Sequence, residues 1–180
     1  MFSGCSRLIT TPKLPATTMQ PNCYASMFKN CTSLVIPPEL NATSLAVSCY
    51  QGMFDGCTSL LHAQSILPAT TLKNGCYAAM FRGCTSLISG PELPANNVPT
   101  VAYKEMFKGC TALEIAPDLP ATTVEAITYA YESSSAYWEI FYGCSSLIYV
   151  KCLARAESAI NLYTYLSGVA SNGTFVKAVG

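Results

Sequence analysis

Ten cysteines and a single histidine, His62, are the residues of this 180-residue chain best suited to metal binding, redox chemistry or nucleophilic catalysis. A zinc site needs thiolates or imidazoles that converge on one point, usually through Cys-x-x-Cys pairs, and the sequence has no such pair. Glycine-rich phosphate loops, Ser-His-Asp arrangements and nucleotide fingerprints are also missing. We therefore expect a non-enzymatic protein without a metal or cofactor, in which His62 is an ordinary surface or half-buried histidine.

The cysteines fall at two fixed positions of a repeated phrase. Ala102 and Ala136 replace the second-position cysteine in copies that keep the first, although a disulfide does not usually lose one partner alone. Two helical residues eight apart also lie about 12 Å apart, beyond disulfide reach. Neighbouring copies would bring equivalent thiols closer, but a ladder of equal thiols has no reason to pair in twos. We expect free, buried thiols. The first position holds Cys5, Cys31, Cys57, Cys84, Cys110 and Cys144, the second Cys23, Cys49 and Cys76, and Cys152 stands apart.

A phrase of about 26 residues positions these cysteines. It reads Met-Phe-x-Gly-Cys-Thr-Ser-Leu, followed by Pro-x-Leu-Pro-Ala-Thr-Thr, and Met-Phe recurs at residues 1, 27, 53, 80 and 106 with Ile140-Phe141 as a sixth copy. We number these copies one to six. Each copy can bury its apolar side only against its neighbours, so the repetition predicts a solenoid. Its expected core includes Phe28, Cys31, Leu34, Phe54, Cys57, Leu60, Phe81, Cys84, Leu87, Phe107, Cys110 and Leu113.

Each copy contains signals for one helix and one strand. The spacing of Cys76, Met80 and Cys84 predicts a short helix of about two turns, ended by a left-handed glycine, Gly83. The Leu-x-x-x-Pro-x-Leu-Pro stretch predicts a short strand, and the threonine pair suits a second strand or a polar turn. This α/β pattern favours a leucine-rich-repeat coil over a parallel β-helix, its main rival.

The ends and irregular copies refine this architecture. We expect a solenoid over residues 1–153, with an eight-residue insertion near 125–136, and a C-terminal cap over 154–180. The cap would contain a helix from Ala156 to Leu166, stopped by Gly168, and a strand from Thr174 to Val179. Copy three carries one extra residue between its two repeat leucines. Insertions in solenoids map to loops on one face, often the binding face.

Composition excludes several classes of partner. Charged residues make up 11% of the chain, ten basic against ten acidic, so the basic stripe needed for nucleic acid is missing. No apolar run approaches the ~18 residues of a membrane helix, so we expect no membrane insertion. No signal peptide is visible, and a chain that opens within a repeat looks like a fragment of a longer protein.

Three surface features are candidates for binding. One is the column before the second repeat leucine, Lys13, Glu39, Ser65, Glu92 and Asp118, where Glu92 and Asp118 would be neighbours; a solvated polar face is the simpler interpretation. A second is Asp55 between Lys29 and Arg82, which would form a surface ion ladder that contributes little to the stability of the protein. The third is an aromatic knob formed by Tyr129, Tyr131 and Trp138, suited to protein or sugar partners, unless these rings only cover the end of the core.

The phrases from Met80 to Leu87 and from Pro91 to Ala95 resemble the BspA-like leucine-rich repeats of bacterial surface proteins. The resemblance covers roughly residues 1–153, and the segment from Leu166 to Lys177 also looks like the end of such arrays. It implies a right-handed, curved solenoid at a bacterial cell surface or outside the cell. Such a module would bind protein or carbohydrate for recognition or adhesion and has no catalytic residues. A structural spacer that displays a neighbouring domain is the alternative function.

Overall fold

Two ladders of stacked aromatic rings run through the molecule, for which the computed structural model describes residues 1–121, 123–124, 135–153 and 165–177. Successive phenylalanines of the Met-Phe pairs lie with ring centroids 5.6–5.8 Å apart. Successive tyrosines from Tyr24 to Tyr137 lie 5.8–5.9 Å apart. Phe107 still stacks on Phe141 across the insertion of copy five. Equivalent residues of neighbouring copies therefore lie on top of one another.

The core includes both ladders and consists of the apolar repeat positions. All twelve residues expected in the core are buried, and none is more than 1% exposed. Met53, Met80 and Met106 are also fully buried, as are Cys49 and Cys76. Because each side chain packs against its equivalents in the copies on either side, one continuous core extends along the stack.

The predicted helix in each repeat is wrong. Among the described residues only Tyr165 and Leu166 are α-helical, and the stretch from Cys76 to Cys84 consists of consecutive hydrogen-bonded turns. Alternate N–H groups, such as those of Met80 and Arg82, donate to the carbonyl oxygen three residues earlier. The N–H groups between them donate to the next copy, as Phe81 does to the carbonyl of Met106 at 2.9 Å. Half of the donors of this turn run thus join two copies, which an α-helix would not allow.

A left-handed residue at every fourth position explains why the turn run is not a helix. In copy four these residues are Gly75, Ala79 and Gly83, with φ of 63°, 53° and 69°. An α-helix needs negative φ throughout, and its side chains repeat every 3.6 residues. Here the buried pairs repeat every four residues, which keeps the apolar column on one side of the turn run. Gly83 does adopt the predicted left-handed conformation, but as one member of a series and not as the end of a helix.

The strands are short and parallel. β1 is Asn97–Val98 and pairs with β2, Thr123–Val124. β3 is Tyr149–Cys152 and pairs with β4, Thr174–Lys177, with Tyr149 opposite Thr174. Elsewhere the copies are joined by single parallel bridges, such as Ser89 to Ile115 and Thr10 to Ile36. The prolines of the Leu-x-x-x-Pro-x-Leu-Pro stretches explain this, since proline lacks the N–H group that would extend a ladder.

The extra residue of copy three shifts the strand register. Ile66, and not Ser65, pairs with Glu92. The side-chain amide of Gln64 fills the resulting gap: its Oε1 accepts from the Leu40 N–H at 2.8 Å, and its Nε2 donates to the Leu40 carbonyl at 3.2 Å and to the Ile66 carbonyl. One side chain thus replaces the backbone pairing that a regular copy would supply.

Replacing Gln64 with alanine should lower the free energy of unfolding by about 1–3 kcal/mol, because the polar backbone groups of buried Leu40 lose their partner. Urea denaturation followed by circular dichroism would measure the change. Gln51→Ala is the matched control, since Gln51 is exposed; its effect should stay within about 0.5 kcal/mol. Equal losses in the two variants would contradict this role.

The described part of the predicted cap continues the register of the stack. The Gly143 N–H donates to the Ser167 carbonyl at 2.8 Å, and the Thr174 N–H donates to the Ile148 carbonyl at 2.7 Å. Gly168 has a φ of 78°, and the equivalent residue of each copy before it, glycine in every copy except for Asn30 in copy two, also has a positive φ. Residues 154–164 and 178–180, which hold most of the predicted helix and the end of the predicted strand, lie outside the described residues.

Candidate functional site

The exposed apolar side chains are concentrated on one part of each copy. We call the stretches 8–14, 34–40, 60–67, 87–93, 113–119 and 147–153 the strand segments, and their exposed side chains together with those of β4 the strand face. Of the twelve large apolar side chains exposed in the described part of the chain, nine belong to the strand face. These nine are Ile9, Val35, Ile36, Leu61, Ile66, Ile88, Ile115, Ile148 and Val176, each 36–59% exposed.

The same face carries acidic residues. The strand segments of copies two to five contain four carboxylates, Glu39, Glu92, Glu114 and Asp118, and no lysine or arginine. All four are exposed. The strand face of these copies is therefore both aliphatic and negatively charged.

Glu92 and Asp118 lie in neighbouring copies, as predicted, and line one shallow depression of about 420 Å³ together with Gly90 and Pro117. A basic partner is supplied by the next strand segment, because Lys151 Nζ lies 2.6 Å from Asp118 Oδ2. The hydrogen bond and charge of Asp118 raise the pKa of Lys151. The expected acidic pair is thus partly neutralised from within the chain, and Glu92 is the carboxylate of this depression that has no such bond among the described residues.

The predicted ion ladder on the turn runs is longer than expected. Asp55 lies between Lys29 Nζ at 3.1 Å and Arg82 Nη2 at 2.7 Å. Arg82 Nη1 reaches Glu105 Oε2 at 2.7 Å. The series continues through Lys108, which contacts Glu105, Glu139 and the ring of Tyr142. Alternating charges therefore link copies two to six along one edge of the stack.

Asp55 is the one charged residue that is buried among the described residues, at 8% exposure. Burial opposes its ionisation, but the hydrogen bonds and charges of Arg82 and Lys29 outweigh this effect and hold the pKa of the carboxyl below its ordinary value. The ionised form is therefore bound more tightly in the folded protein than in the unfolded chain.

The stabilisation by Asp55 should depend on pH. Because the pKa of Asp55 is lower in the folded than in the unfolded protein, its ionisation stabilises the fold at pH values above the unfolded pKa. This stabilisation is lost as the pH falls through the folded pKa. The difference in free energy of unfolding between the wild type and Asp55→Asn should be largest above about pH 5 and shrink as the pH falls below the ordinary aspartate pKa of about 4. Urea denaturation across this range would measure it. A difference that does not change with pH would contradict the assignment.

The first-position cysteines have a regular hydrogen-bonding role that the sequence did not predict. The thiol of Cys84 donates to the Phe54 carbonyl at 3.2 Å, and that of Cys110 donates to the Phe81 carbonyl at 3.1 Å. Cys31, Cys57 and Cys144 make the same bond at 3.0–3.1 Å. Each thiol thus donates to a phenylalanine carbonyl of the preceding copy, which also accepts a hydrogen bond from a backbone N–H of its own copy. Cysteine suits this position because it is small and apolar and still carries a weak donor.

Burial should make most thiols unreactive. Eight of the ten cysteines are buried, whereas Cys5 and Cys23 are exposed. Burial raises the pKa of Cys49 to about 11 and that of Cys57, Cys76 and Cys144 to about 12. Thiolates are the reacting species, so these side chains have neither the access nor the ionisation that alkylation needs.

Iodoacetamide at about pH 8 should therefore modify at most Cys5 and Cys23 in the folded protein within minutes, and all ten cysteines after unfolding in guanidinium chloride. Mass spectrometry of the intact chain and its peptides would count and locate the labels. Rapid native labelling of Cys84 or Cys110 would contradict the buried ladder. Fewer than ten labels on the unfolded, unreduced chain would reveal disulfides.

The aromatic candidates are only partly within the described residues. Tyr129 and Tyr131 lie outside them. Trp138 is half-buried on the turn run of copy six, where its carbonyl accepts from the Glu105 N–H at 2.7 Å. Trp138 is not among the residues that line the depression at Glu92 and Asp118. Trp138 and the acidic pair thus fall on two different parts of the repeat, the turn run and the strand segment.

The remaining chemistry is sparse. His62 is exposed, and its Nδ1 lies 3.3 Å from Ser89 Oγ. Among the described residues, no three His, Cys, Asp or Glu side chains are grouped so that they could hold a metal ion. Within the same part of the chain, no helix has the length and apolar character needed to cross a membrane.

A scan of family models, a search of curated proteins and a search of solved structures each find no match to this chain.

Proposed function

We propose that this chain is a non-enzymatic recognition or adhesion module, a BspA-like leucine-rich-repeat solenoid that acts at a bacterial cell surface or outside the cell. The observation that carries this proposal is the concentration of exposed aliphatic side chains on the strand face. Contiguous apolar surface is costly to leave in water, and in monomeric proteins it marks interaction sites. Its ligand is a protein or glycan, held by the strand face and by the aromatic insertion.

The repeat architecture supports this function physically. Each copy is held to the next by backbone hydrogen bonds, stacked rings and the ion ladder, so the strand face is a rigid surface. A rigid surface loses little conformational entropy when it binds a partner. The leucine-rich-repeat assignment itself rests on the 26-residue phrase and on the parallel bridges between copies.

Binding arrays of extracellular proteins and glycans would test the proposal. The strand-face variant Ile36→Thr/Leu61→Thr/Ile88→Thr and the insertion variant Tyr129→Ala/Tyr131→Ala/Trp138→Ala should each be compared with the wild type. Saturable binding that either variant weakens supports a recognition module and locates the site. A folded protein that binds nothing on either array would contradict the proposal and favour a structural spacer.

A further inference from the structure

We infer that the strand face binds a polypeptide whose contact surface combines aliphatic side chains with lysine or arginine. This inference rests on the proposed recognition function and specifies its partner. It follows from two properties of the strand segments, their aliphatic surface and the three carboxylates, Glu39, Glu92 and Glu114, that have no ion-pair partner among the described residues.

The aliphatic surface favours a polypeptide over a glycan. Ile88 and Leu61 are adjacent, since the Ile88 N–H donates to the Leu61 carbonyl at 3.1 Å, and Val35 is joined to Ile9 in the same way at 3.0 Å. Sugars bind most strongly to aromatic rings and arrays of hydrogen-bond donors, whereas a row of isoleucine, leucine and valine offers only apolar contact. Aliphatic side chains of a protein or peptide are the complementary surface.

The extent of the surface is that of a protein interface. Nine side chains exposed by 36–59% amount to several hundred Å² in order of magnitude, the size of the largest, often functional, patches on monomers (about 300–600 Å²). A standard complex buries about 800 Å² on each partner, polar rim included. Each of the six copies and β4 contributes at least one exposed aliphatic side chain, although in copy five Glu114 occupies the position of Ile88 and the exposed isoleucine, Ile115, is the next residue. A small molecule would cover only a fraction of it.

The exposed carboxylates of the strand face favour a positively charged partner. Glu39, Glu92 and Glu114 are exposed and, within the described residues, none of them has an ion-pair partner, whereas the acids of the turn runs are paired with lysine or arginine. The strand segments of copies two to five contain no lysine or arginine that could neutralise these three; the flanking copies supply Lys13 in copy one and Lys151 in copy six, and Lys151 is bound to Asp118. A partner with lysine or arginine beside its apolar side chains would form ion pairs with these carboxylates. It would also be attracted electrostatically before contact.

A labelled synthetic peptide in which leucine alternates with lysine is a direct probe, and the same peptide with glutamate in place of lysine is its control. Fluorescence anisotropy should show saturable binding of the lysine peptide, weaker at high salt, and no binding of the glutamate peptide. The variants Ile36→Thr/Leu61→Thr/Ile88→Thr and Glu39→Gln/Glu92→Gln/Glu114→Gln should each weaken binding about tenfold or more. Val47→Thr should have no effect, because Val47 is as exposed as Leu61 but lies on a turn run.

Four results would overturn the inference. These are no binding of the lysine peptide at millimolar concentration, equal binding of both peptides, a wild-type dimer in sedimentation that the apolar variant converts to a monomer, and binding of phospholipid vesicles that the apolar variant abolishes. The last two would identify a second copy or a lipid surface as the occupant. If the peptide fails but an array ligand binds and is weakened by the strand-face variant, the partner chemistry is wrong and the recognition function stands. If neither binds, both fail.

Discussion

Replacing Phe81 with alanine should lower the free energy of unfolding by about 3–5 kcal/mol. Its ring lies midway along the phenylalanine ladder, with its centroid 5.6 Å from both Phe54 and Phe107, and it is 1% exposed. The variant loses the burial of a whole ring and two stacking contacts, and neighbouring copies cannot close the cavity without losing their own register. Urea denaturation, followed by circular dichroism and by Trp138 fluorescence, would measure the loss.

Phe2→Ala is the control for position in the ladder. Phe2 is half-buried and stacks on one ring, Phe28, at 5.6 Å. Its removal should cost about 1–2 kcal/mol, well below the cost at Phe81. Similar losses at the two positions would show that stacking on both sides does not determine the stability of this core.

Replacing Arg82 with glutamine should lower the free energy of unfolding by about 1–3 kcal/mol. The guanidinium donates to both carboxylate oxygens of Asp55, at 3.1 and 2.7 Å, and to Glu105 at 2.7 Å. The variant leaves buried Asp55 with Lys29 as its basic neighbour and interrupts the ion ladder between Asp55 and Glu105. Because Arg82 itself is 39% exposed, solvent screening places the expected loss toward the lower end of that range.

Lys104→Gln provides the matched comparison for Arg82→Gln. Lys104 and Arg82 both line one depression on the turn runs, but Lys104 has no ion pair within the described residues. Its removal should change the free energy of unfolding by less than about 0.5 kcal/mol. If both variants lose the same stability, net charge and not the specific Asp55–Arg82–Glu105 contacts would be responsible.

The repeated phrase predicted the interior well because burial in a stacked repeat follows directly from position. Phe28, Cys57 and Leu87 occupy different copies, yet each was assigned to the core from its place in the phrase, and each is buried. Position in the phrase did not determine the backbone conformation of each copy. Apolar residues four apart, such as Cys76 and Met80, suit a helix of 3.6 residues per turn nearly as well as a turn run of period four. Glycine at positions such as Gly75 and Gly83 signals the left-handed conformation, but Ala79, Val101 and Glu105 adopt it too, so residue type marks only part of the series.

The candidate site was predicted less completely, for a different reason. Glu92 and Asp118 were placed as neighbours, but Lys151 was not aligned with Asp118 because copy six is one residue shorter between the paired positions of its strand segment, so that Ile115 pairs with Tyr149 and Leu119 with Cys152. The extra residue of copy three was visible in the sequence, but the pairing of Ile66 with Glu92 and the hydrogen bonds of the Gln64 amide depend on backbone geometry that the repeat pattern does not encode. The apolar strand face was missed because exposed isoleucine and buried leucine look alike in sequence, and only the side of the backbone on which each lies distinguishes them.

The backbone hydrogen bonds between turn runs allow the chain to change length in whole units. Each copy presents donors on one side and acceptors on the other, and both rows have the same spacing in every copy. Removing or duplicating one unit would therefore join surfaces that already fit, with the rings, thiols and carbonyl groups again in line. Evolution can lengthen or shorten such a protein by recombination within its gene, and the reach of its outer surface changes in equal steps.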